Sequence, residues 1–189
     1  EPAHVMIVDG NGVSRRPYWR LDFPEAGEPS RHRDEREAAQ ELRALLTDAT
    51  RIRMRADVPV GSYLSGGLDS SIVSALAAGM TGETLSTFSV TFDSAEHDES
   101  AFQSAMAQAL GTRHAAVHCG EGDIAAVFPE VIRHAERPIL RTAPAPLFRL
   151  AALVRETGLK VALTGEGADE VFAGYDIFKE AQVRRFCAR

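Results

Sequence analysis

The chain has 189 residues, 44% of them hydrophobic, and a formal net charge of −6. That length supports one sizeable core, while the acidic balance argues against a broad nucleic-acid surface; Arg51-Ile52-Arg53-Met54-Arg55 and Arg184-Arg185 read as solvated helix faces. No apolar run approaches the roughly 20 residues of a membrane-spanning helix, and no signal-peptide pattern is present, so no membrane partner is expected.

The opening carries a β-like run, HVMIVDG, and residues 24–33, rich in Pro, Gly, Ser and charge, read as a linker. A helix is predicted over residues 34–55, where Ala38, Leu42, Leu45, Leu46, Ala49 and Ile52 recur at spacings of three and four and give one buried stripe. Strand and helix then alternate: a strand to Leu64, a helix to Ala78, a strand over 84–92, a helix over 100–110 and a strand over 113–118. Helices over 123–135 and 145–157, a strand over 160–164 and one more helix complete the order. Such alternation predicts an α/β fold built on a parallel sheet with helices on both faces.

The run Tyr63-Leu64-Ser65-Gly66-Gly67-Leu68-Asp69-Ser70-Ser71 joins a strand to a helix through a glycine pair. Glycines let the backbone approach a ligand closely, and Ser65, Ser70 and Ser71 place hydroxyls beside the N–H groups of a helix start, a combination suited to phosphate. Asp69 would repel phosphate unless a divalent cation lay between them, so the motif implies Mg²⁺ bound with a nucleotide. Neither G-x-x-x-x-G-K-[ST] nor G-x-G-x-x-G is present. Read more simply, the run is a strand-to-helix turn capped by Ser or Asp. A second cluster, Thr164-Gly165-Glu166-Gly167-Ala168-Asp169-Glu170, follows the short apolar run Lys160-Val161-Ala162-Leu163 and so stands at a strand's carboxyl end, where α/β sheets bind ligands. Its carboxylates either cap the next helix or hold metal and manage protons.

SGGLDSS resembles the pyrophosphate-binding loop of the ATP-pyrophosphatase superfamily, and the T/S-G-E-G-A/S-D-E-x-F-x-G-Y pattern through Tyr175 resembles the second signature of glutamine-dependent asparagine synthetases. Arg55 to Gly61, Thr87 to Phe92 and Arg137 to Pro144 are similar to the same synthetase domain, over roughly residues 35–189. The resemblance implies the ATP-pyrophosphatase (adenine nucleotide alpha hydrolase-like) fold over residues 34–189, incomplete at its carboxyl end. It also makes residues 1–33 the tail of an N-terminal glutaminase domain plus linker. Its chemistry is adenylylation of the aspartate β-carboxylate by ATP, followed by attack of glutamine-derived ammonia on β-aspartyl-AMP. Carried over by position, Leu64, Val90, Thr164 and Gly165 bind adenine through main chain, Ser65, Gly66, Gly67 and Ser70 hold pyrophosphate, and Asp69 and Asp169 bind Mg²⁺. Glu166 is then the base of the ammonia step and Glu170 an outer or helix residue. Arg141 and Thr142 line the aspartate site, Arg141 being open to a structural ion pair instead. The family places a phosphate-binding lysine later than this sequence reaches; Lys179 reads as a surface residue, so the chain alone is expected to fold and bind ATP without making asparagine.

Cys119 and Cys187 form neither a C-x-x-C pair nor a disulfide framework, which suits a reducing cytoplasm. His114 and His118 share a strand face but lack a third ligand of suitable spacing. Asp98-Glu99 is expected to cap the helix that follows. A homodimer is left open. Alternative functions are a β-lactam synthetase-like adenylylating ligase, in which the substrate loop differs, and a non-catalytic nucleotide-binding module.

Overall fold

The computed structural model describes residues 1–20, 22 and 34–187, without the side chain of residue 185, so the expected linker at 24–33 lies outside the described residues. The chain divides into two compact units, Glu1–Glu41 and Leu42–Arg189. In the first, β1 (His4–Asp9) and β2 (Gly12–Pro17) form an antiparallel hairpin whose register runs from His4↔Pro17 to Asp9↔Gly12. Its turn is Gly10-Asn11, and the Asn11 N–H donates to Asp9 Oδ1 at 2.8 Å. Such two-residue loops match the twist of paired strands.

Helix α1 (Glu35–Arg53) begins where Asp34 Oδ1 accepts the Glu37 N–H at 2.8 Å, a side-chain cap, and its acidic first turn and basic last turn suit the helix dipole. The expected buried stripe is only partly realised. Ala38, Leu46 and Ala49 are half-buried, whereas Leu42, Leu45 and Ile52 are 38%, 60% and 51% exposed. Periodicity decides which residues share a face; burial additionally needs a surface to pack on, and among the described residues this face finds little.

The second unit is built on a parallel sheet of order β5-β4-β3-β6, with β3 at Val60–Tyr63, β4 at Ser86–Thr91, β5 at Arg113–His118 and β6 at Val161–Leu163. From β3 to β5 the chain steps in one direction through α2 (Leu68–Ala78) and α3 (Ser100–Leu110). It then returns across the sheet to β6 through α4 (Glu121–Ala135) and α5 (Pro144–Glu156). Because parallel crossovers are right-handed, reversing the direction moves the helices to the opposite face. The sheet is therefore covered on both sides, as the alternation predicted.

Register makes those faces chemically different. Tyr63↔Phe88↔Ala115 and Val90↔Val117 point one way, where Phe88, 1% exposed, packs with Leu150 and Val154 of α5. Ser62↔Thr87↔His114 and Ser89 point the other way. There Ser62 Oγ meets Ser74 Oγ of α2 at 2.9 Å, Thr87 Oγ1 meets Thr112 Oγ1 at 2.9 Å and His114 Nδ1 at 3.0 Å, and Ser89 Oγ lies 3.2 Å from His114 Nε2. Among the described residues no buried side-chain N or O lacks a partner, which is what lets a polar layer sit under two helices.

After β6 the single expected helix is broken into α6 (Ala168–Phe172) and α7 (Asp176–Cys187). Ala173 adopts φ 59°, and the Gly174 N–H turns back to Asp169 O at 3.0 Å. A Cβ on Gly174 would collide with the Asp169 carboxylate, so the glycine permits the break and seats that acid. Among the described residues no helix is long and apolar enough to cross a membrane. Cys119 is buried, Cys187 is exposed and neither is paired.

Burial pushes the His114 imidazole below its ordinary pKa, so the folded state favours the neutral ring bonded to Thr87 and Ser89. Above the unfolded value of about 6.5 both states are neutral and nothing is gained or lost; below it the unfolded chain takes up a proton that the fold resists. The melting temperature is expected to fall as pH drops from 7 toward 5, and His114→Gln should flatten part of that slope in a calorimetric pH series. An unchanged slope would show that His114 is not a source of the acid sensitivity.

Candidate active site at the carboxyl ends of the strands

A cavity of about 470 Å³ opens where β3, β4 and β6 end. One wall is the loop from β3 into α2. Here the Ser65 N–H donates to Ser70 Oγ at 3.1 Å, Ser70 Oγ lies 2.9 Å from Ser65 Oγ and 3.2 Å from Gly67 O, and the Gly67 N–H donates to Ser65 Oγ at 3.2 Å. The two hydroxyls expected to face a ligand thus hold the loop in shape. The amides of Leu68, Asp69 and Ser70, in the first turn of α2, have no intrahelical acceptor by geometry and are the donors such a turn offers. Gly66 takes φ +92° and sits against the start of α3, where a Cβ would lie 3.0 Å from Phe102 Cβ and 3.1 Å from the Gln103 N.

The opposite wall is the acid cluster after β6. Since β6 pairs with β3, Ser62↔Leu163, the two loops leave the sheet side by side. They touch through backbone: a Cβ on Gly165 would fall 2.8 Å from Ser70 N and 3.0 Å from Asp69 C. Glycine at 165 therefore lets the two segments meet. Asp69, Glu166, Asp169 and Glu170 all line the resulting cavity, with Leu64, Ser65, Ser70, Val90, Thr164 and Gly165. Gly66 and Gly67 shape the loop without forming its wall.

Leu64 has its N–H bonded to Phe88 O at 2.8 Å, and its carbonyl accepts from Ser89 Oγ at 2.5 Å, so its backbone is largely committed to the fold. Arg141 and Thr142 are exposed and lie outside the cavity lining, whereas Ala143, Pro146, Leu147 and Leu150 of the same segment belong to it. The Thr142 carbonyl accepts the Ala145 N–H at 2.8 Å as α5 begins. Arg141 makes no ion pair among the described residues, and its ion-pair alternative does not occur there. Asp98, not Glu99, secures the start of α3: it accepts from the Ser100 hydroxyl at 2.6 Å and the Phe92 N–H at 3.3 Å, and the Ser100 bond foremost draws its carboxyl below the usual range. Glu99 makes no side-chain cap and lines the cavity. His114 is spent on the polar layer and His118 lies 3.0 Å from Asp93, so the two rings form no shared site. Lys179 is a surface residue, 2.9 Å from Asp176.

Several lining residues were given no role in the sequence reading. Tyr175 donates to Glu170 Oε1 at 2.9 Å, and that bond, then desolvation and the negative charges of Glu170, Asp169 and Glu166, raise its hydroxyl pKa, keeping it a donor. Gln103 and His97 also line the cavity, and neither belongs to a recognisable motif. Five carboxylates, Asp69, Glu99, Glu166, Asp169 and Glu170, reach this wall, and no Lys or Arg does among the described residues. Among these residues no three His, Cys, Asp or Glu side chains converge on one point as a complete metal cage. Asp69 and Asp169, both half-buried oxygen donors, do fit a Mg²⁺ that takes its remaining ligands from phosphate and water.

A family model described as Asparagine synthase matches residues 41–189. The chain is 36% identical over 193 residues to an amidase, chyE, of Penicillium rubens, covering 94% of this chain and 29% of that protein. It is 32% identical over 181 residues to a glutamine-hydrolysing asparagine synthetase of Bacillus subtilis, covering 95% and 28%. An asparagine synthetase of Asparagus officinalis is 36% identical over 151 residues, covering 74% and 25%. The chain thus spans about a quarter to a third of the curated relatives it matches. Among solved structures, the NH3-dependent NAD synthetase of Campylobacter jejuni aligns with a TM-score of 0.48 at 19% identity, over 72% of this chain and 60% of that one.

Backbone contact at Gly165 makes a clear demand on stability. Gly165→Ala should cost about 1–3 kcal/mol, the range for a forced overlap in a packed site, because the atoms it meets are main chain. Gly122→Ala, whose Cβ meets nothing within 4 Å inside α4, should be neutral or slightly stabilising. Urea denaturation of both variants checks the contrast.

Proposed function

The chain belongs to the asparagine synthase family, and on that premise we propose that its cavity binds ATP with Mg²⁺, adenylylates the aspartate β-carboxylate and passes the acyl group to ammonia. The observation that carries this reading is the backbone contact of Gly165 with Asp69 and Ser70, which puts a phosphate-suited helix start and an acid cluster on one cavity. Five carboxylates, with no lysine or arginine beside them among the described residues, would repel a bare triphosphate. Acceptance of ATP at such a wall requires a divalent counter-ion, for which Asp69 and Asp169 supply the protein oxygens.

In this reading a β-carboxylate oxygen of aspartate bonds to the α-phosphorus as the bond to the pyrophosphate oxygen breaks. The amides of the first α2 turn face the charge gathering on that leaving group. Asp69 and Asp169 would hold Mg²⁺, which would supply positive charge to offset that of the phosphates. Ammonia then attacks the acyl carbon, Glu166 takes the proton the nitrogen must lose, and AMP departs with the electrons of the C–O bond. The Tyr175 hydroxyl, tied to Glu170, orients that carboxylate beside the reacting groups. Leu64, Val90, Thr164 and Gly165 form the adenine wall, with Leu64 contributing position more than a free polar group. Ammonia from glutamine, hydrolysed by an N-terminal domain of the longer protein, and a cytoplasmic setting complete the proposal.

A second reading keeps the adenylylation and changes the acceptor carboxylate. It is favoured by Arg141 and Thr142 lying outside the cavity lining, and by the relative named an amidase.

Calorimetry of ATP binding with and without Mg²⁺ tests the metal role: Asp69→Asn should lose most of the gain that Mg²⁺ gives, with the fold intact by circular dichroism. A variant with full metal dependence would reduce Asp69 to a helix cap. The acids separate by half-reaction. In the protein that carries this chain, Glu166→Gln should still exchange labelled pyrophosphate into ATP in the presence of aspartate, whereas Asp169→Asn should not. Equal loss of exchange in both variants would refute the ammonia-step role of Glu166.

A further inference from the structure

Gln103, on α3, is only 3% exposed yet forms part of the cavity wall. Its Nε2 donates to Val90 O at 3.0 Å and to Ser65 O at 3.3 Å. Carbonyl oxygens only accept, so these two bonds orient the carboxamide: the nitrogen faces the protein and uses both of its hydrogens. Among the described residues the oxygen, Oε1, has no partner. It is not sealed either, since no buried side-chain oxygen among the described residues lacks a partner. Gln103 lines the cavity, and Oε1 is the polar atom of its carboxamide that these two bonds leave over.

The result is an acceptor held between the end of β4, at Val90, and the start of the phosphate loop, at Ser65. Its position is stiff. Gly66 is pressed against the Gln103 backbone, and Asp98 anchors the turn of α3 that precedes it. A neutral acceptor repels phosphate oxygens and suits a hydroxyl or amine hydrogen. We propose that Gln103 is a specificity-determining residue whose Oε1 accepts a hydrogen bond from the nucleoside half of the nucleotide, from a ribose hydroxyl or the exocyclic amine of the base. The same carboxamide, through Ser65 and Val90, joins the phosphate loop to the adenine wall. This inference rests on the nucleotide reading of the cavity.

The probes are ATP, 2′-deoxy-ATP, 3′-deoxy-ATP and purine riboside triphosphate, each titrated with Mg²⁺ into the wild-type chain and Gln103→Met by calorimetry. One donor-deleted analogue should bind the wild type about 3- to 10-fold more weakly than ATP, the size of one neutral hydrogen bond, and that penalty should vanish in Gln103→Met. Which analogue it is tells ribose from base. Should the variant fail to fold, the wild-type series still decides: all analogues binding within twofold of ATP would overturn the proposal. Penalties that persist unchanged in a folded Gln103→Met would also overturn it while leaving nucleotide binding in place. No ATP binding by the wild type would instead remove the nucleotide reading, and this inference with it.

Discussion

Everything proposed for this chain depends on one steric constraint, the absence of a side chain at Gly165. Ser62 and Leu163 are 101 residues apart in the chain yet are register partners in neighbouring parallel strands. Strands at the usual spacing of nearly 5 Å bring the loops at their carboxyl ends close together, and here the approach leaves no room for a Cβ at position 165. Gly165 supplies bare backbone against Asp69 and Ser70. Gly174 has a related role further on, because the space its missing Cβ leaves is filled by the Asp169 carboxylate. Two glycines thus set where two acids stand.

The sheet supports this arrangement by dividing its labour between faces. Phe88 and its apolar neighbours under α5 hold the layers together by burial. On the other face Ser62, Thr87, Ser89 and His114 close polar contacts among themselves and with α2, where Ser70, Ser74 and Ala77 are the buried residues. Small side chains let that helix lie close to the strands, so the amides of its first turn arrive at the cavity in a defined place. The polar layer also reaches the site itself, since Ser89 bonds the Leu64 carbonyl and Gln103 bonds those of Ser65 and Val90. These intramolecular bonds fix the backbone beside the cavity, which lowers the ordering cost of binding.

Charge acts in the opposite direction. Asp69, Glu99, Glu166, Asp169 and Glu170 share one cavity without a lysine or arginine among the described residues, an arrangement that gains nothing for the fold alone. The hydrogen bond from Tyr175 to Glu170 relieves one of them. The remainder fit a site whose occupant brings its own cation.

Much of this was legible in residue order. The strand-turn-helix around SGGLDSS, the acid cluster after a short apolar strand, and the alternation that yields a parallel sheet follow from local rules: glycine for tight turns, period for secondary structure, and right-handed crossovers for layers. Boundaries agreed where such signals were strong, as at Ser100–Leu110 and Arg113–His118. Other features were illegible for physical reasons. The α1 stripe has helical period, but period cannot say whether Leu42, Leu45 and Ile52 will meet a covering surface. Arg141 and Thr142 belong to a segment that lines the cavity, yet the turn into α5 places Ala143 there in their stead. Gln103 belongs to no motif, because its importance comes from two carbonyls on other elements. Sequence by itself determined the fold class and the chemical types gathered at the strand ends, since both rest on local pattern. Only the tertiary structure decided which of those groups share a cavity and which bonds they already make, because that depends on register and on backbone contact between segments about a hundred residues apart.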